Sequence, residues 1–142
     1  MGRRRTALLH VCLFIIGGLG YVLIELAWRR RSHVSMFFVG GLCFELMGAI
    51  HTRLARLALP LRCLLCAAAV SAVELVSGCI LNRWLRLDVW DYSRMRYNLL
   101  GQVCLLYSLF WLVLSAAAFP LYRGCRRLVS GVLVRRRRTH RP

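Results

Sequence analysis

The chain has 142 residues, 59% of them hydrophobic, and a mean hydropathy of +0.59. Soluble domains run at about 45–50% apolar, so an ordinary soluble fold is set aside and a membrane protein is expected. The net charge is +16, and all 21 basic residues are arginine; the lack of lysine excludes a standard P-loop and Schiff-base catalysis.

Taken in order, Arg3 to Arg5 precede a first apolar run from Thr6 to Trp28. A helix needs about 20 residues to cross the hydrocarbon core, and this run is long enough. Its start is like that of a signal peptide, but it ends in Glu25-Leu26-Ala27-Trp28 with no small-x-small cleavage site, so an uncleaved helix is expected. Arg29 to Arg31, Ser32 and His33 lead to a second run, Val34 to Ile50. A connector with Arg53, Arg56 and Arg62 follows, and its Pro60 suits a helix first turn. The third run is Cys63 to Leu81 and the fourth Leu99 to Tyr122. Each run carries glycine, alanine or serine in places that let another helix approach closely. The predicted fold is therefore all-α, an integral membrane bundle of four transmembrane helices occupying residues 1–122.

Between the third and fourth runs, Trp84, Trp90 and Tyr92 suit the headgroup level, while Asp91 and Ser93 suit a tight turn. Asn98 is placed to cap the fourth helix, with Gln102 one turn deeper. After the fourth run, residues 123–142 form a basic tail with apolar residues between its arginines. It reads as an interfacial segment whose Arg135, Arg136, Arg137 and Arg138 meet anionic lipid headgroups, each basic residue contributing about 1 kcal/mol near the surface.

Four spans put both termini and the Arg53–Arg62 connector on one face, with fourteen arginines, against seven on the other. Arginine-rich faces stay inside, so both termini are expected in the cytoplasm of a bacterial inner membrane. A nucleic-acid partner is not expected, because the basic residues flank spans and no soluble surface displays them. Cys63 and Cys66 form a CxxC at the start of an apolar helix with no second pair and no nearby histidine, so packing is the expected role.

The chemistry-bearing residues are the carboxylates. There are only five acidic residues, and three of them, Glu25, Glu45 and Glu74, lie inside apolar runs. A charge at the bilayer centre costs about 2.5–3.5 kcal/mol on insertion scales. Counting 1.5 Å per residue puts Glu74 roughly 12 Å, and Glu45 roughly 18 Å, below the outer boundary. All five acidic residues are thus expected in the outer half or outer loops, around a pocket of Glu25, Glu74, Asp91, Asn98 and Gln102. Either that pocket admits a proton, a cation or a cationic substrate, or the glutamates pair with arginines and tie the helices together. The histidines share no face, and no hydrolase or zinc motif is present, so no catalytic residue, metal or cofactor is expected.

One set of residues has a specific likeness. Glu25, Arg31-Ser32-His33, Gly40-Gly41-Leu42-Cys43-Phe44, Glu74, Gly78 and Asn82 precede Trp90-Asp91-Tyr92-Ser93 and Asn98-Leu99-Leu100-Gly101-Gln102 with Cys104-Leu105. Together they resemble the small bacterial membrane proteins of the ABC-transporter type IV, permease-like family, over about residues 15 to 115. Glu45 and Arg96 depart from the family pattern. The resemblance implies an all-helical, multi-pass protein of poorly defined activity, with a separate ATPase subunit if it acts in an ABC system; with no nucleophile or metal set for an enzyme, a small permease-like or transporter-associated subunit is the expected function. So few helices rarely enclose a pathway, so a homo-oligomer or another membrane subunit is expected. The alternative is a non-transporting scaffold whose buried glutamates are structural.

Overall fold

The computed structural model describes residues 2–138, with side chains as far as Val134. Four helices, α1 (Arg3–Arg29), α2 (Val34–Arg53), α3 (Leu59–Gly78) and α4 (Leu105–Arg138), are each long and apolar enough to cross a membrane. Successive helices run in opposite directions, as two contacts show. His10 near the start of α1 meets Glu45 in the second half of α2, and Arg62 early in α3 lies over the Phe119 ring of α4. The start of α1 and the α2–α3 connection therefore share one end, the terminal end. The segment from Leu85 to Cys104 covers the other, the loop end.

Local chemistry explains the helix limits. Arg30 closes α1 in the left-handed conformation, its N–H donating to the Leu26 carbonyl. The His33 ring accepts from the Ser35 amide and caps α2. Pro60 sits in the first turn of α3, where its missing N–H is not needed. Beyond Gly78 the helix widens into a π-helical turn, Cys79–Trp84.

The α1–α2 pair is built from reciprocal glycine seats. Gly17 and Gly18 of α1 receive Phe44 and Phe37 of α2, and Gly40 and Gly41 of α2 receive Tyr21 and Phe14 of α1. In a bilayer such close backbone approach replaces the hydrophobic effect as the source of helix association. The main core joins Cys43 and Met47 of α2, Cys66 and Val70 of α3, and Trp111 and Phe119 of α4. Large apolar side chains such as Leu23, Phe38, Leu64 and Val113 are left exposed on the outside, which is where hydrocarbon tails would lie.

Two sequence-based expectations are corrected at this level. Trp90 is not at the surface: it is 5% exposed, and its indole N–H donates to the Gln102 carbonyl at 3.0 Å. Asn98 does not cap the fourth helix, which begins at Leu105 rather than Leu99. Residues 98–104 instead form a small hairpin, β1 (Asn98–Leu99) against β2 (Val103–Cys104), turning through left-handed Leu100 and Gly101. Asn98 Oδ1 accepts from the Gly101 amide inside that turn. As a helix, α4 is longer than the fourth apolar run, which ends at Tyr122. It continues to Arg138, and Cys125, Val129 and Leu133 of its extension pack against a cluster of Leu9, Leu13, Phe44 and Tyr122. Cys125, Val129 and Leu133 thus form one inward stripe at i, i+4 spacing, whereas Leu128, Val132 and Val134 of the same extension are exposed.

Candidate functional site

A cavity of about 390 Å³ lies between the loop-end halves of α1 and α4. On α1 it is lined by Tyr21, Ile24, Glu25 and Trp28, spaced i, i+3, i+4, i+7, which is one helical face. Tyr107, Phe110, Trp111 and Leu114 repeat that spacing on α4. Glu74 of α3 and Tyr92 of the loop complete the walls.

The two glutamates in this cavity differ in their surroundings. Glu25 is 7% exposed; its Oε1 pairs with the Arg29 guanidinium one turn on, and its Oε2 accepts from the Ser32 hydroxyl at 2.6 Å. Arg29 also donates to the Val89 carbonyl at 3.3 Å, which pins the loop to α1. Glu74 is 4% exposed. Trp111 lines the same cavity, and among the described residues Glu74 Oε2 has no hydrogen-bond partner. A buried polar oxygen without a partner costs about 1–3 kcal/mol, and more when charged.

Of the other residues expected in the pocket, none lines it. Gln102 is buried beside it, its Oε1 accepting from Asn82 Nδ2 at 2.8 Å. The same Asn82 amide donates to the Trp90 carbonyl, and its Oδ1 accepts from the Val89 amide. Gln102 is therefore part of the network that locks the loop onto the bundle. Asn98 is exposed and holds the hairpin turn, donating to the Ser93 and Met95 carbonyls. Asp91 is exposed as well: it accepts from the Ser93 amide and hydroxyl, both at 2.8 Å. Those bonds hold its carboxyl below the ordinary aspartate range. Within the Trp90-Asp91-Tyr92-Ser93 turn, only Tyr92 reaches the cavity, and burial raises its phenol above the usual value.

Glu45 is displaced from the expected pocket altogether. It lies toward the terminal end, where Oε2 meets His10 Nδ1 at 2.8 Å and accepts from the Tyr122 hydroxyl at 3.3 Å. The expectation that all five acidic residues share one half is therefore wrong. A depth of roughly 18 Å already passes the midplane of a hydrocarbon core about 30 Å thick, and antiparallel α1 supplies a partner there.

The aromatic walls were missed in the sequence, although continuing the helical face of Glu25 by three and four residues would have found Tyr21 and Trp28. Among the described residues, no group of three His, Cys, Asp or Glu is placed to hold a metal ion. The side chains of Arg135 to Arg138, expected at lipid headgroups, lie outside the described residues.

No curated protein and no solved structure shows significant similarity to the chain. The sequence profile of one family, described as Putative ABC-transporter type IV, matches residues 4–133. A four-helix membrane architecture and a match over nearly the whole length agree, and the chain belongs to that family.

Proposed function

We propose that the chain is a small, non-enzymatic permease-like or transporter-associated subunit of the bacterial inner membrane, and that the cavity floored by Glu74 is its working site. The observation that carries this reading is the buried Glu74 carboxyl, with one oxygen unpartnered inside a cavity. Glu25 has a structural share in it, holding Arg29 and through it the loop. The arginine distribution supports a loop end that faces outward, so the cavity opens on the external half. An ABC system needs a separate ATP-hydrolysing subunit, since this chain has no lysine for a P-loop. A second copy or another membrane subunit supplies the rest of any pathway.

The scaffold reading draws on the Asn82–Gln102–Trp90 network and the Glu25–Arg29 pair, which lock the fold and do no chemistry. The two readings separate in one experiment. The full-length chain, isolated in mild detergent, is expected to bring an ATP-hydrolysing subunit at fixed stoichiometry, with hydrolysis reduced severalfold in Glu74→Gln. Isolation without such a subunit, together with a Glu74→Gln variant that behaves as wild type in cells, leaves the scaffold.

A further inference from the structure

We infer that the cavity between α1 and α4 binds an organic ammonium cation, quaternary or alkylated, with Glu74 as its counter-charge and the aromatic walls as its cage. This rests on the reading of Glu74 as the working carboxylate.

Charge comes first. The acidic and basic side chains lining the cavity are Glu25, Arg29 and Glu74. Arg29 is committed to Glu25 and to the Val89 carbonyl, so among the described residues the Glu74 carboxylate is left without a cation of its own. An anionic ligand is therefore disfavoured, and a neutral apolar one would leave Oε2 unpaired. The walls then choose among cations. A hard metal ion asks for about six oxygen ligands at short range, and this cavity offers chiefly carbon. Tyr21 stacks on Trp111, with centroids 5.9 Å apart and planes 14° apart. Tyr92 stacks on Tyr107 at 4.7 Å and 19°, and the Phe110 ring lies 5.8 Å from Tyr107. Aromatic rings around a carboxylate favour alkylated ammonium groups, whose charge is spread over methyl groups and attracted to ring faces.

Size and access agree. A volume of about 390 Å³ falls within the range of about 300–1,000 Å³ usual for small-molecule sites. Ile24, Phe110 and Val113 on its rim are exposed on the apolar outer surface. A cation with an apolar tail thus has a lateral approach from the bilayer. The same chemistry is carried by a free cation and by an ammonium-bearing lipid headgroup.

The test uses the full chain in phosphatidylglycerol nanodiscs. Tryptophan fluorescence is followed while benzyltrimethylammonium is added, with benzyl alcohol as the neutral and benzenesulfonate as the anionic control. Trp28 and Trp111 border the cavity, so a saturable change is expected with the cation alone. Glu74→Gln should weaken it at least tenfold, and Tyr107→Leu severalfold. Repeating the titration in discs with the phosphatidylglycerol fraction held constant, and the remainder either phosphatidylcholine or a neutral galactolipid, assigns the source at equal surface charge. Weaker apparent affinity with phosphatidylcholine means that the lipid headgroup occupies the site, and unchanged affinity means a free cation; both support the proposal. An equal response in wild type and Glu74→Gln, or an equal response to benzyl alcohol, overturns it. Should Glu74→Gln fail to fold, an undiminished response in Tyr107→Leu overturns it alone. If no cation binds while the chain still isolates with an ATP-hydrolysing subunit, the ligand assignment fails and the subunit reading stands.

Discussion

Glu25 and Glu74 are the same residue type in one cavity, and their partners set them different tasks. Glu25 has both oxygens engaged, so Glu25→Gln strips Arg29 of its charged acceptor. Hydrogen bonds to charged groups contribute about 1.5–3 kcal/mol, and a loss of that size is expected in denaturant unfolding of the micelle-bound protein. Glu74→Gln removes a charge that no described side chain pairs with, so its unfolding free energy should stay level or rise. Equal losses in the two variants would make Glu74 a structural tie as well. Asp91 sets a third case, at the surface. Its folded-state carboxyl titrates below its unfolded one because the Ser93 amide and hydroxyl favour the anion. The turn is therefore stabilised above the ordinary aspartate range and released as pH falls through the depressed value. The Ser93 amide nitrogen resonance should report that titration, with a midpoint below the usual aspartate value, and lose it in Asp91→Asn.

The four helices respond to substitution according to what faces each glycine. A Cβ at Gly18 would stand 2.5 Å from the Phe37 carbonyl oxygen, whereas one at Gly20 meets nothing within 4 Å. Backbone cannot rotate aside as a side chain does, so Gly18→Ala should force α1 and α2 apart, at a cost of about 1–3 kcal/mol. Gly20→Ala should be neutral or slightly stabilising, since alanine favours helix. Thermal melts of the two variants in one detergent check the contrast, and similar melting temperatures would mean that the glycine seats do not hold the pair. These helices were legible in the sequence because apolar length, flanking arginine and glycine spacing are local signals. The loop was not. Trp90 reads as an interfacial aromatic until Asn82, eight residues before it, and Gln102, twelve after it, are brought to its carbonyl and indole. Asn98 in turn reads as a helix cap, because nothing local announces a hairpin whose strands are two residues each. The Asn82 network can be tested on its own. Asn82→Ala leaves the Trp90 carbonyl and the Val89 amide unpaired, and should lower stability by about 2–3 kcal/mol while leaving helix content unchanged by circular dichroism.

At the scale of the whole molecule, the terminal and loop ends differ in kind. The loop end carries the cavity and the locked loop, while the terminal end carries the His10–Glu45 contact and the long α4 extension. Glu25 and Glu74 stood out in the sequence because carboxylates inside apolar runs are expensive. Glu45 met the same criterion but belongs to the opposite end, since depth along one helix says nothing of the partner that the next helix brings. Which end faces the cytoplasm decides what the cavity can sample. Among the described residues, thirteen arginines at the terminal end against seven at the loop end act during insertion, when arginine-rich segments resist translocation. The expected orientation has the loop outside. A reporter that is active only in the periplasm should work when inserted between Leu85 and Asp88 and be silent when fused to either terminus, with a cytoplasm-specific reporter giving the reverse. The opposite pattern would turn the Glu74 cavity inward, where an ammonium ligand would have to come from the cytoplasm or the inner leaflet. A signal from both reporters at one position would mean two orientations in the membrane, which the two-to-one arginine bias argues against.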